Sequence, residues 1–487
     1  MHRKYRISTL LGPALLLLLL APATNAQQQR GRDDNSTPPP KNSTAKDPGV
    51  RVGSVNSGQP LATLSPSQLQ FFQDGLARFL QIDSVSGTIS GEPGKGLGPG
   101  YNSTSCGSCH AQPSVGGTSP SATIYPFLGQ NPQLTVAYDA GGTNQIPSFI
   151  TADGPVREAR FPYAVNSSGQ VNIQIADGGV HDLFTIAGRS DASGCVMSQP
   201  NYESMARQNN LIFRIPTPTF GAGLIENIAD GTILANMAAN PAAKSAFGIS
   251  GHPNYSGNDG SITRFGWKAQ NKSLEIFAGE AYNVEIGVTN ELFQTKRGNP
   301  PAACLYNATP EDQTNFDFSG SAITSDVVAF AMFSRFLAPP TPSATGIPNN
   351  PSAQSIANGQ LMFSAVGCTM CHTPALQTAN SSFTAALSNQ PAALYSDLLV
   401  HHLGQGLADN ISQGSAAGDE FRTAPLWGVG QRIFFLHDGR SNPGNGGLVH
   451  AIQQHQSQGS EANRVISLYN RLPEQAQQDL LNFLRSL

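Results

Sequence analysis

Two five-residue stretches carry the clearest chemistry in this chain: Cys106-Gly107-Ser108-Cys109-His110 and Cys368-Thr369-Met370-Cys371-His372. Each offers two thiols separated by two residues and an imidazole directly after the second. That spacing suits thioether bonds to the two vinyl groups of a haem, with the histidine held beneath the iron. Zinc knuckles and redox dithiols also use Cys-x-x-Cys. Here the pairs lie far apart, both are followed by histidine, and the chain starts as an exported protein does. Two covalently bound haem c groups are therefore expected. Each iron keeps one further axial position. A side chain there makes an electron carrier, whereas an open position binds peroxide or oxygen. The other histidines after the N-terminal segment are His181, His252, His401, His402, His437, His450 and His455.

The surrounding sequence must hold these groups in place. Arg3, Lys4 and Arg6, the apolar run Leu10 to Leu20 and the small residues Thr24-Asn25-Ala26 read as a signal peptide over residues 1–26. The mature protein is then periplasmic or secreted. The apolar core is short for a span and no later run is longer, so the chain is not expected to cross a membrane. A net charge of −4, with 12% charged residues, lacks the basic stripe of a nucleic-acid binder. Of six cysteines, Cys195 and Cys304 lie outside the motifs and are expected to pair in an oxidising compartment.

Residues 27–64 are polar and aperiodic and read as a disordered linker. Order is expected from Ser65, where Ser65-Pro66-Ser67 can cap a helix carrying Leu69, Phe72, Leu76 and Phe79. A weak repeat follows. Gly75-Leu76-Ala77-Arg78-Phe79 precedes the first motif, and Gly359-Gln360-Leu361-Met362-Phe363 precedes the second. In each, glycine permits close approach of another helix and phenylalanine packs near the porphyrin edge. Val327 to Leu337 should close the first unit, and Leu480 to Leu487 should pack on the second. The proline-rich stretch 339–351 is a linker. The expected fold is mainly α, with two cytochrome c-like domains over 65–338 and 351–487. The first is enlarged by an irregular, partly β insertion, with Val171 to Ile175 as one strand.

At this point a resemblance becomes specific. GLGPGYNSTSCGSCH, RIPTPTFGAGLIENI, TRFGWKA, GCTMCHTP, YSDLLVHHLGQGLAD, EFRTAPLWGVG, and FLHDGR followed by AIQQH occur in the order seen in the bacterial di-haem oxidoreductase family. The chain resembles that family, relatives of di-haem cytochrome c peroxidases, from Gly96 onward. The resemblance implies a catalytic N-terminal haem and a C-terminal haem that takes up electrons. It implies as partners peroxide or another small oxidant, and a small donor protein of cytochrome c or cupredoxin type. It leaves open whether a calcium ion sits between the domains. His401-His402-Leu403-Gly404 stands where the family has His-Asp-Met-Gly, which excludes a methionine ligand there. Asn442 to Gly447 lengthens the loop after Arg440.

Candidate site residues follow. Glu226 is a candidate acid-base group for peroxide, weighed against a glutamate satisfying backbone N–H groups at a helix start. Arg214 can stabilise developing negative charge or serve as an ion-pair partner. Trp267 and Trp427, the only tryptophans, are candidates for a position between the haems, weighed against core packing. Arg440, in the turn His437 to Arg440, is a candidate propionate partner. His455, one turn beyond Ala451 and Ile452, is assigned as distal ligand of the second haem, with His401 and His402 as competitors. The reading is peroxide reduction. Its rivals are an oxygenase or protein-modifying oxidase on the same scaffold, and a pure electron carrier.

Overall fold

The computed structural model describes residues 44–53, 56–121, 130–314 and 324–487. The expected signal peptide lies outside the described residues. From Ser43 to Leu487 the chain groups by contact into one unit. Helix makes up 32% of the described residues and strand 13%, so helix outweighs strand, and it does so beside a substantial β component.

The helices that frame the motifs are α1 (Pro66–Leu80), α2 (Leu274–Ala281), α3 (Asp326–Phe336), α4 (Ala353–Ala365), α5 (Gly447–Gln454), α6 (Asn463–Arg471) and α7 (Glu474–Ser486). Ser65 and Gln68 form a capping box at the start of α1, and Pro66 occupies its first turn. The buried face of α1 runs through Phe72, Gly75 and Phe79, while Leu69 is partly exposed. Gly75 is where α1 crosses α3: a Cβ there would lie 2.4 Å from the Ala329 carbonyl oxygen. The same device recurs before the second motif. Gly359 of α4 faces α7, and a Cβ there would lie 1.9 Å from the Asp479 carbonyl oxygen. Phe363 is buried one turn on. The repeat read from sequence is thus two helix crossings, each requiring a glycine.

Strands are short. Glu158–Arg160 (β1) pairs antiparallel with Val180–His181 (β2) on one side and Ile212–Arg214 (β3) on the other. The strand expected at Val171 to Ile175 spans Val171–Ala176 and pairs antiparallel with Tyr163–Val165. Val400–His402 (β4) pairs antiparallel with Glu420–Arg422 (β5). One apolar cluster surrounds Phe79, Phe330 and Phe333, and another surrounds Phe363, Leu480 and Phe483. Two further clusters draw residues from both sides of the proline-rich stretch, among them Trp427 in one and Trp267 in the other. Cys195 and Cys304 form the expected disulfide.

Residues from Thr44 onward depart from the expected disordered linker. Ala45, Val50 and Arg51 are buried. Asp47 pairs with Arg485 of α7 at 2.6 Å, and Arg51 donates to the Leu487 carbonyl oxygen at 3.0 Å. A polar composition concealed this strap because ion pairs and backbone hydrogen bonds, rather than an apolar stripe, hold it down.

Candidate functional site

Each Cys-x-x-Cys-His motif winds into a single tight turn. The His110 N–H bonds the Cys106 carbonyl at 3.0 Å, and the His372 N–H bonds the Cys368 carbonyl at 2.8 Å. The imidazoles are then oriented alike. His110 Nδ1 lies 3.0 Å from the Gly117 carbonyl oxygen and His372 Nδ1 lies 3.0 Å from the Tyr395 carbonyl oxygen. A carbonyl only accepts, so Nδ1 carries the proton and Nε2 keeps its lone pair for a metal. Burial pushes both rings down to about 4, which keeps them neutral. Phe79 stands edge-on to His110 with ring centres 5.9 Å apart, and Phe363 lies 6.1 Å from His372. None of the four motif cysteines is in a disulfide.

Each motif opens onto its own cavity, of about 170 Å³ at His110 and about 210 Å³ at His372. The two thiol pairs therefore do not converge on one ion. Mostly apolar walls, two thiols and a metal-ready imidazole fit a haem in each cavity.

The far walls differ. At the second cavity, His455 makes the same kind of bond as the motif histidines: its Nδ1 lies 2.8 Å from the Ala451 carbonyl oxygen, leaving Nε2 available. Its competitors are otherwise engaged. His401 lies between Asp397 at 2.9 Å and Glu461 at 2.8 Å, so both ring nitrogens face carboxylates. Burial alone would lower its pKa, but the Cys371 sulfur and the Asp397 carboxylate outweigh it and hold the ring well above the usual histidine range. His402 is half-exposed, faces Asp419 and Glu420, and is absent from the cavity wall.

At the first cavity no second histidine and no methionine stands among the lining residues described. Charged groups stand there instead. The β1–β3 register places Glu158 opposite Arg214, and period-2 alternation puts Arg160 on the same side as Glu158. Glu285 comes from a π-helical turn, Tyr282–Ile286, that continues α2. Burial and then the neighbouring Glu158 push Glu285 well above the usual carboxyl range, so it holds a proton. For Glu158, burial is outweighed by the Arg160 and Arg214 cations, which keep it an anion. The Asn102 amide donates to Glu285 at 2.9 Å. Sequence reading passed over both glutamates. The available signals were charges at alternate positions of Glu158-Ala159-Arg160, and a lone acid in the apolar run Val284-Glu285-Ile286.

The sequence candidates are placed as follows. Arg214 lines the first cavity and also bonds Asp409 at 2.7 Å. Glu226 lies off the cavity wall. It pairs with Arg335 at 2.6 Å and accepts the Leu274 N–H at 2.8 Å, at the start of α2. Trp267 borders both cavities, and its indole N–H donates to the Ile215 carbonyl at 2.9 Å. Trp427 borders a small pocket that Trp267 also lines. Arg440 bonds Asp438 at 2.6 Å and the Gly406 carbonyl at 2.6 Å, and does not line either cavity.

The family described as "Di-haem oxidoreductase, putative peroxidase" matches residues 166–487. No curated protein matches the chain. Among solved structures, the hydrazine synthase of Kuenenia stuttgartiensis, pressurised with xenon, is 17% identical, with a TM-score of 0.21. That match covers 34% of this chain and 57% of the synthase chain, so this chain spans little more than half of it. A MauG-like protein associated with microbial copper homeostasis is 14% identical over 56% of this chain and 89% of its own, with a TM-score of 0.26.

Proposed function

Because the chain belongs to the di-haem oxidoreductase family, we propose that it is an exported enzyme that reduces peroxide at a haem held by Cys106, Cys109 and His110. Cys368, Cys371, His372 and His455 would hold a second haem, which would take up electrons from a small donor protein. The residues 65–338 form the catalytic haem domain, and 351–487 the cytochrome c-like domain that receives electrons. The observation that carries this reading is the difference between the two far walls: a backbone-tethered imidazole in one, and in the other two buried carboxyl groups, Glu285 pushed above and Glu158 held below the usual carboxyl range.

Bound through thioethers, the haems would supply one-electron redox chemistry, two electrons in all for each peroxide. Reduction of hydrogen peroxide to two waters consumes two electrons and two protons. Glu158, kept ionised by Arg160 and Arg214, accepts a proton from the incoming peroxide. Glu285 holds the proton that goes to the departing oxygen. Asn102 fixes the Glu285 carboxyl. Arg214 is braced by Asp409, so its charge stays at the cavity edge. Trp267, bordering both cavities, shortens the path between the haems. Glu226 braces α2 against Arg335 and so positions the turn that carries Glu285.

Stopped-flow mixing of the fully reduced holoprotein with hydrogen peroxide tests the proposal. One peroxide should oxidise both haems of one molecule. Oxidation no faster than that of free haem c peptide would contradict it.

A further inference from the structure

Two arginines missing from every role above face the second cavity. Arg422 follows Phe421 on β5, and Arg432 follows a short turn over Val429–Gln431. Both are over nine-tenths buried, at 9% and 8% exposure. Both line the cavity that holds His372, and both line the small pocket bordered by Trp267 and Trp427. Neither lines the cavity of His110.

Their partners are inadequate for two buried cations. Arg422 donates to the Gly266 carbonyl at 3.0 Å and to the Thr423 carbonyl at 3.4 Å, both neutral acceptors. Among the described residues, no carboxylate forms an ion pair with either arginine, and the Arg432 guanidinium makes no side-chain hydrogen bond. Burial, with no opposing charge, lowers Arg432 to about 10. Burial followed by the charge of Arg432 lowers Arg422 to about 10, against the weaker opposing charge of Asp397, which is itself paired with His401. Two like charges held together in a largely apolar cavity are costly unless an anion joins them. Guanidinium favours carboxylates because its fork of N–H donors matches two oxygens. Three other buried arginines, by contrast, each meet a carboxylate. Arg189 meets Glu92 and Asp191, Arg214 meets Asp409, and Arg485 meets Asp47.

We propose that Arg422 and Arg432 form the anion clamp of the second haem, binding its propionate carboxylates on the side of the cavity next to Trp267. The clamp rests on the reading that this cavity holds a haem. It does two things: it fixes the rotation of the macrocycle, and it offsets the propionate charge so that an added electron is not repelled. Arg440, bound to Asp438, has no part in it.

The test is a potentiometric titration of holoprotein, with the haems distinguished by carbon monoxide, which marks the open one. Arg432→Gln removes one cation and should lower the reduction equilibrium of the carbon monoxide-insensitive haem roughly tenfold, about 59 mV for one electron. Arg432→Lys should restore most of that loss, and Arg422→Gln should repeat it. If Arg432→Gln does not fold, Arg422→Gln carries the same test. An unchanged potential in a variant whose mass shows two haems would overturn the clamp. So would a shift confined to the carbon monoxide-binding haem. A wild-type mass showing no haem would instead overturn the reading on which the clamp stands.

Discussion

The two cavities begin alike and end differently. In both, a glycine-bearing helix crosses a second helix, a buried phenylalanine flanks the motif imidazole, and a backbone carbonyl fixes Nδ1. The proximal side is built twice from one plan. The distal side is built from unrelated parts: α5 brings His455 into one cavity, while the β1–β3 pair and a π-helical turn bring Glu158, Arg214 and Glu285 into the other. On the proposed reading, function is divided by what faces the histidine: the tethered imidazole would close one site for electron transfer, and the carboxyl pair would leave the other open for proton handling.

The largest expected effect breaks the pair outright. Cys368→Ala with Cys371→Ala should remove one haem from the mature mass and abolish donor-driven peroxide turnover. Retention of two haems would contradict the assignment. Next, Glu285→Gln should reduce peroxide turnover ~10²–10⁴-fold while leaving both haem spectra in place. A loss of similar size in Glu226→Gln, with Glu285→Gln unaffected, would move the proton donor.

The shared proximal plan can be tested through its glycines. Gly359→Ala and Gly75→Ala should each destabilise the fold by ~1–3 kcal/mol or more, since overpacking meets backbone at both crossings. Thermal melts check this, with Gly231→Ala as control, where a Cβ meets nothing within 4 Å. Equal melting of all three would remove the argument for a tight crossing.

The smallest effect concerns pH. Burial raises Asp83, beside the first motif, to about 7, whereas Arg485 keeps Asp47 of the strap below its usual value against the opposing effect of burial. A raised folded pKa means stability present at low pH and lost as pH rises from about 4 through 7. A lowered one means stability present above the unfolded pKa and lost as pH falls through the folded value. Asp83→Asn should therefore gain stability relative to wild type between pH 5 and 8, with a slope of at most about 1.4 kcal/mol per pH unit. Asp47→Asn should instead narrow its deficit as the pH falls below 4. Chemical denaturation across pH distinguishes the two signs.

What could be read beforehand follows from how local each signal is. The haem motifs, the Ser65 cap, the glycine-to-phenylalanine repeat and the helix over Val327 to Leu337 are written in contiguous residues. The Cys195–Cys304 pair emerged once the motif cysteines were set aside. Glu158, Glu285, Arg422 and Arg432 were not legible, because each acquires its role from strand register or cavity walls assembled across long separations. Sequence assigned His455 as distal ligand with His401 as a competitor, and the backbone bond of His455 and the carboxylate grip on His401 support that order.

Carbon monoxide titration of the reduced holoprotein tests the division of labour most directly. One haem of the two should bind carbon monoxide in the wild type, and His455→Ala should make both bind. Binding to neither haem in the wild type, or a second haem that stays closed in His455→Ala but opens in His401→Ala, would contradict the account.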